Sequence, residues 1–234
     1  MKTLGLIGGT SWHSTIDYYR HINQYVNDYF NSNTNPPLVV YTLNQYLIHT
    51  FQKESNWEGI AELLINAAKS LQSAGAETVM FCANTPHKVY DIVDQEINIP
   101  ILHISDATAD AIKLRNLKKV CFLGTKYSMN ENFVTQRISN NEIEVISPSE
   151  KSIIDELHRI IQEELTYGKI IPESKEYVLN IIQSHIDVGA EGVVLGCTEF
   201  PMMIKEIDLQ VPIFNTTEIH AIAGANYILE DLRK

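Results

Sequence analysis

The sequence predicts an α/β protein made of two pseudo-symmetric lobes, each a mainly parallel sheet flanked by helices. Two observations carry this prediction: short, uniformly apolar runs alternate with amphipathic stretches, and the alternation repeats itself halfway along the chain. The runs Leu4–Ile7, Leu38–Leu43, Thr78–Cys82, Ile101–His103, Val120–Leu123, Ile143–Ile146, Val193–Leu195 and Ile213–Phe214 read as strands. Most are too uniformly apolar to leave one face wet, as expected of parallel strands covered on both sides. Between them, Ser14–Phe30, Trp57–Ala74, Pro86–Glu96, Ser128–Ser139, Ser152–Thr166, Pro172–Val188 and Glu218–Leu232 carry helical spacing. Thr85-Pro86 reads as a cap followed by a first-turn proline, and Ser152-Ile153-Ile154-Asp155 as an acidic capping pattern. The helix from Ser152 is expected to present a solvated acidic face.

The repeat is legible in three segments. Gly75-Ala76-Glu77 recurs as Gly189-Ala190-Glu191, 114 positions later, and Val79-Met80-Phe81 aligns with Val193-Val194-Leu195. Ile99-Pro100-Ile101 recurs as Val211-Pro212-Ile213, at an offset of 112. Leu4-Gly5-Leu6-Ile7-Gly8-Gly9 resembles Val120-Cys121-Phe122-Leu123-Gly124-Thr125, at 116. The expected lobes are residues 1–104 with 212–234, and residues 105–211. A ligand is expected in a cleft between them, at the carboxyl ends of equivalent strands.

Composition narrows the function classes. The 234 residues carry 18 Lys+Arg against 29 Asp+Glu, a formal charge of −11 with no basic run, so nucleic acid is not an expected partner. Three cysteines do not make a disulfide framework, and no stretch reaches membrane-spanning length or resembles a signal peptide, so a cytoplasmic protein without membrane contact is expected. The eight histidines are scattered, with none at zinc-finger spacing to a cysteine, so no metal is expected. Gly5-x-x-Gly8-Gly9 departs from the dinucleotide fingerprint and reads as a tight turn presenting Thr10 and Ser11.

Two strands of the repeat end in polar turns bearing a cysteine: Phe81-Cys82-Ala83-Asn84-Thr85 and Leu195-Gly196-Cys197-Thr198-Glu199. A thiol at a strand-to-helix junction meets backbone N–H groups and a helix N-terminus, which are expected to lower its pKa. Cys197 is the candidate acid/base. Cys121, in mid-strand among Val120, Phe122 and Leu123, reads as core.

Taken together, Gly5-Leu6-Ile7-Gly8-Gly9-Thr10-Ser11-Trp12, Asn84-Thr85-Pro86-His87-Lys88-Val89, Leu123-Gly124-Thr125 and Gly196-Cys197-Thr198-Glu199 resemble the cofactor-independent aspartate/glutamate racemases. The resemblance spans nearly the whole chain. It implies an amino-acid racemase of two lobes, a homodimer, and no cofactor. It also implies two cysteines on opposite sides of the substrate α-carbon, one removing the proton as thiolate and the other returning one as thiol. Removing an amino-acid α-proton without an electron sink needs a positioned base and preorganised stabilisation of the carbanion.

The sequence departs from that pattern in two places. Where two-cysteine members carry the first catalytic Cys, immediately before Asn-Thr, this chain has Ala83, and the repeat independently pairs Cys197 with Ala83 and Cys82 with Gly196. Cys82 is one residue out of register, which at a strand end turns its side chain toward the sheet packing. With one thiol, either Cys82 swings in, a water relayed by Thr85 or Thr10 donates, or the reaction is limited to one enantiomer. The second departure concerns recognition. The stretches where better-known aspartate racemases place a carboxylate-binding Arg and Lys, Leu43–Gln52 and Glu163–Gly168, contain neither. Thr10, Gln52, Ala83, Asn84, Thr85 and Thr198 are the candidate substrate-binding residues, with Thr125 a further polar turn residue. His87 reads either as within reach of the cleft or as a helix-surface or cap histidine. His13 reads as solvated or subunit-contacting, and Glu199 as an ammonium ligand or a helix-favouring acid. A relative that binds a small amino or carboxylic acid without efficient turnover is the alternative function, and a thiol-dependent lyase or isomerase on the same fold a further one.

Overall fold

The computed structural model describes residues 1–232 and divides into two compact units, Met1–Ile104 with the residues from Thr217 onward, and Ser105–Thr216. In the first unit, β1 (Leu4–Gly8), β2 (Leu38–Thr42), β3 (Thr78–Phe81) and β4 (Ile101–Leu102) form a parallel sheet in the order β2-β1-β3-β4. In the second, β5 (Lys119–Gly124), β6 (Glu144–Ile146), β7 (Val193–Gly196) and β8 (Ile213–Asn215) form a parallel sheet in the order β6-β5-β7-β8. All eight predicted strands are present, and the two sheets share one topology. The predicted boundary at 212 shifts, because β8 pairs with β7 and so belongs to the second unit.

The first sheet is sandwiched as its apolar runs require. On one face, Val79 and Phe81 pack with Ile7 and the apolar side of α3 (Trp57–Ser73), including Ile60, Leu64, Ala67 and Leu71. On the other, Leu4, Leu6, Met80 and Cys82 pack with Tyr18, Ile22 and Val26 of α1 (Trp12–Phe30). Ala221, Ala225 and Ile228 of α11 (Thr216–Leu229) close the same face. The alternation along β3 is the two-residue period of a strand, and it aims Cys82 into the core, the orientation the register argument favoured. The edge strand β2 is the exception to the dry-sheet expectation, with Val40 to Thr42 exposed.

Three helices were not anticipated: α2 (Gln45–Lys53), α5 (Ile104–Leu114) and α10 (Phe200–Met203). Three predicted helices are interrupted. The stretch from Pro86 begins as a 3-10 turn (Thr85–Val89) before α4 (Tyr90–Asp94), with Asn84 rather than Thr85 in the cap position. Residues 128–139 break into α6 (Lys126–Asn130) and α7 (Thr135–Ser139). The helix expected over 152–166 is α8 (Lys151–Arg159), then a π turn (Ile160–Glu164) and a 3-10 turn ending at Gly168, whose φ is +70°. The Thr166 hydroxyl donates to the Ile161 carbonyl five residues back, at 2.7 Å, within this widened turn. Ser152 lies inside α8, so it is not the cap. The remaining long helix, α9 (Pro172–Asp187), matches its predicted span closely. Among the described residues no helix is long and apolar enough to cross a membrane.

Candidate active site

In a parallel sheet the strand order reverses at one point, and the carboxyl ends flanking that point cannot be covered by the crossover helices of either side. In the first unit the reversal falls between β1 and β3, and in the second between β5 and β7. The predicted turns sit at these ends. Thr10 follows β1, the Ala83-Asn84-Thr85 turn follows β3, Thr125 follows β5, and Cys197-Thr198 follows β7. Gln52 is placed differently, near the end of α2, the helix that follows the edge strand β2.

The β1 turn is built around Gly9, with φ +90° and an approach so close that a Cβ would stand 2.1 Å from the Leu43 carbonyl oxygen. The Gly9 N–H donates to Thr15 Oγ1 at 3.0 Å, and the Thr15 hydroxyl donates to the Ser11 carbonyl, also at 3.0 Å. Ser11 therefore begins the 19-residue α1 with its own side chain uncommitted: its buried Oγ makes no cap bond and has no hydrogen-bond partner. The first turn holds no acidic residue. A hydroxyl at the start of a long helix, with no competing carboxylate, suits an anionic group. The sequence presents Ser11 together with Thr10 in this turn but gives no signal that singles it out as a binding residue.

The β3 turn is buried. Ala83, Asn84 and Thr85 are all below a tenth exposed. Ile7 pairs with Phe81 in the first sheet, and Leu123 with Leu195 in the second. The two sheets thus align Phe81 with Leu195, and two residues on, Ala83 with Cys197. The sheet register reproduces the pairing given by the sequence repeat. Burial holds the Cys82 thiol far above its ordinary pKa, and it raises that of Cys121 to about 12.

His87 does not face outward. It is 2% exposed, with its ring 4.4 Å from that of His103 and 5.8 Å from that of His220. Burial, then the neighbouring His103 and His220, holds it well below the ordinary histidine range. Tyr18, Cys82 and Tyr90 are the other titratable groups packed around this cluster. An unfolded histidine titrates near pH ~6.5. Below that value the unfolded chain binds a proton that folded His87 refuses, so stability should decline as pH falls from about 6.5 toward the depressed folded value. Urea unfolding at pH 7.5 and pH 5 checks this: the midpoint is expected to be lower at pH 5, and an equal or higher midpoint contradicts it.

In the second unit, a Cβ on Gly196 would come within 2.2 Å of the Phe122 ring, so the position that pairs with Cys82 has no room for a side chain and the thiol of this turn stands at the next one. Cys197 is 6% exposed and donates from Sγ to Glu199 Oε2 at 2.9 Å, the same oxygen that accepts the Thr198 hydroxyl at 2.7 Å. The pKa expectation is reversed here. Burial, then the Glu199 charge and its hydrogen bond, push the thiol well above its ordinary value and outweigh the Glu199 and Thr198 backbone N–H groups. The following helix, α10, has only four residues, too short for much dipole. Cys197 therefore rests as a thiol beside a proton acceptor.

Glu199→Gln should lower the Cys197 pKa and speed its alkylation by iodoacetamide at pH 7.5, read by mass spectrometry; slower labelling contradicts this electrostatic role. His13 is exposed and stacks on Trp12 at 3.6 Å between ring centroids. Among the described residues no group of three His, Cys, Asp or Glu is placed to hold a metal ion.

Comparison with known proteins agrees with this architecture. The chain is 41% identical to a Yersinia pestis protein whose crystal structure is assigned to the Asp/Glu racemases, with a TM-score of 0.92, covering 98% of this chain and 100% of that one. It is 40% identical to an aspartate racemase homologue from Pyrococcus horikoshii, with a TM-score of 0.85 and coverage of 97% and 99%. The broad specificity amino-acid racemase RacX of Bacillus subtilis is 22% identical over 158 residues, a match spanning 66% of this chain and 66% of that relative's length. The model of the Asp/Glu/Hydantoin racemase family matches residues 7–223. This chain belongs to the Asp/Glu/Hydantoin racemase family.

Proposed function

We propose that the protein is a cofactor-independent amino-acid racemase of the aspartate/glutamate type in which Cys197 transfers the α-proton. The observation that carries this reading is the buried Cys197 thiol at the carboxyl end of β7, held 2.9 Å from Glu199 Oε2. In the base direction the S–H proton passes to Glu199, and the thiolate takes the Cα proton, so that one S–H bond breaks and another forms. In the acid direction the thiol gives its proton to the carbanion, and Glu199 returns the one it holds. Backbone N–H groups of Thr198 and Glu199 directed at the sulfur stabilise the transient thiolate. The Ser11 hydroxyl and the start of α1, with Thr10, are suited to a substrate carboxylate. The Ala83 turn, Asn84, Thr85, Gln52 and Thr198 supply the remaining contacts.

Ala83 has no proton to give, and Cys82 is packed in the core, so proton transfer is one-sided unless a water serves the second face. This same observation favours the second reading, a relative that binds a small amino or carboxylic acid without efficient turnover. The enzyme is proposed to act in the cytoplasm as a homodimer. Three free cysteines and the half-exposed Trp12, Ile16 and Tyr19, at helical spacing along α1, support those two points. Incubation of the L and D forms of Asp and Glu separately in D2O, followed by NMR, tests the function. Exchange at Cα supports racemase chemistry, whereas calorimetric binding with no exchange for any form selects the second reading.

A further inference from the structure

The sequence left His87 either near the ligand or on the surface, and the structure gives it a third place. Its Nδ1 lies 3.0 Å from the Ala83 carbonyl oxygen and 3.2 Å from that of Asn84, while the Ile104 N–H points at its Nε2 from 3.3 Å. Carbonyl oxygens only accept and a backbone N–H only donates, so the proton is on Nδ1 and Nε2 is bare. Both ring nitrogens are engaged, so His87 has no proton or lone pair left for a substrate.

What it does have is a grip on the turn. The Cys82 carbonyl accepts from the Ser14 hydroxyl at 2.5 Å, the Ala83 carbonyl from His87 Nδ1, and the Asn84 carbonyl from His87 Nδ1 and from the His87 N–H at 3.1 Å. Three consecutive carbonyls at the end of β3 are thus tied to the protein, two of them by one residue. His220 makes a parallel arrangement from α11. Its Nε2 donates to the Leu102 carbonyl at 2.9 Å, and its Nδ1 accepts from the Tyr18 hydroxyl at 2.7 Å. The two imidazoles therefore hold the β4–α5 junction on both sides of His103, at Leu102 and at Ile104.

We propose that His87 is a positioning residue, whose imidazole bridges the Ala83-Asn84 carbonyls to the Ile104 amide and so fixes the turn that presents Asn84 and Thr85 to the substrate. This rests on the racemase reading for its kinetic consequence, but the bridge itself can be tested without any substrate. Moving the turn weakens substrate binding and leaves Cys197, which belongs to the other unit, unchanged. A variant that merely lost folded protein would lower apparent kcat and keep KM.

The test compares His87→Phe, which keeps a ring and removes both hydrogen-bonding nitrogens, with His87→Gln, whose amide offers one donor and one acceptor. In the Cα exchange assay, His87→Phe is expected to raise KM about tenfold or more with a smaller change in kcat, and His87→Gln to recover much of it. Amide hydrogen exchange at His87 and Ile104 should accelerate in His87→Phe and be partly restored in His87→Gln. An unchanged KM together with unchanged amide protection in His87→Phe overturns the proposal, as does equal impairment in the two variants. If the wild type exchanges no amino acid, the racemase reading fails while amide protection still decides the bridge. If His87→Phe does not fold, 15N NMR of the wild-type imidazole decides. A proton on Nδ1 that persists through pH 6 to 8 is expected, and an Nε2–H ring contradicts the bridge.

Discussion

An Ala83→Cys variant is expected to interconvert the two enantiomers of its amino-acid substrate far faster than the wild type. The gain arises because position 83 occupies in the first sheet the place that Cys197 occupies in the second, as the matched pairings Ile7 with Phe81 and Leu123 with Leu195 establish. Inversion needs a proton removed from one face and another delivered to the opposite face. Alanine contributes neither, whereas a positioned acid or base contributes about 10²–10⁴-fold to a proton transfer. The rate at which optical rotation is lost from pure L or pure D substrate is therefore expected to rise by about a hundredfold or more. No gain in a folded Ala83→Cys variant would mean that something other than the missing thiol limits the second face. Cys82→Ala provides a contrast. Cys82 is buried in the cluster that holds Leu6, Tyr18 and Met80, so loss of its sulfur should cost about 1–2 kcal/mol of stability and little chemistry.

The second large effect is a loss. Cys197→Ala removes the thiol that Glu199 accepts from and leaves the turn's backbone in place, so Cα exchange should fall by about 10²–10⁴-fold with the fold retained. Cys197→Ser separates the sulfur from the hydrogen bond, since a hydroxyl still donates to Glu199 but is too weak an acid to become the base near neutral pH. It should resemble Cys197→Ala in rate. Wild-type rates in Cys197→Ser would instead place the proton transfer on Glu199 or on water.

Much of this was legible in the sequence because sheets write their geometry into it. Every strand was found from its apolar run, and the inward aim of Cys82 followed from a two-residue period together with a one-residue offset in the repeat. The elements that escaped are short or crowd against a strand. Gln45–Lys53 spans only nine residues, Ile104–Leu114 begins almost directly after the two-residue β4, and Phe200–Met203 is a single turn. The histidine cluster was illegible for a different reason: residues 18, 87, 103 and 220 meet only once α1, the β3 turn, β4 and α11 have packed. The low thiol pKa expected from backbone N–H groups and a helix N-terminus is not found, because the helix is four residues long. Burial and a carboxylate two residues on outweigh the N–H groups. Side-chain rotamers decide that contest, and sequence spacing does not record them.

The most direct test of the account is enantiomer-resolved deuterium incorporation at Cα, followed by NMR in D2O, with wild type and Cys197→Ala side by side on the L and D forms of Asp and Glu. Incorporation into at least one enantiomer is expected with the wild type, and its loss in Cys197→Ala. Exchange that continues unchanged without the Cys197 thiol would contradict it.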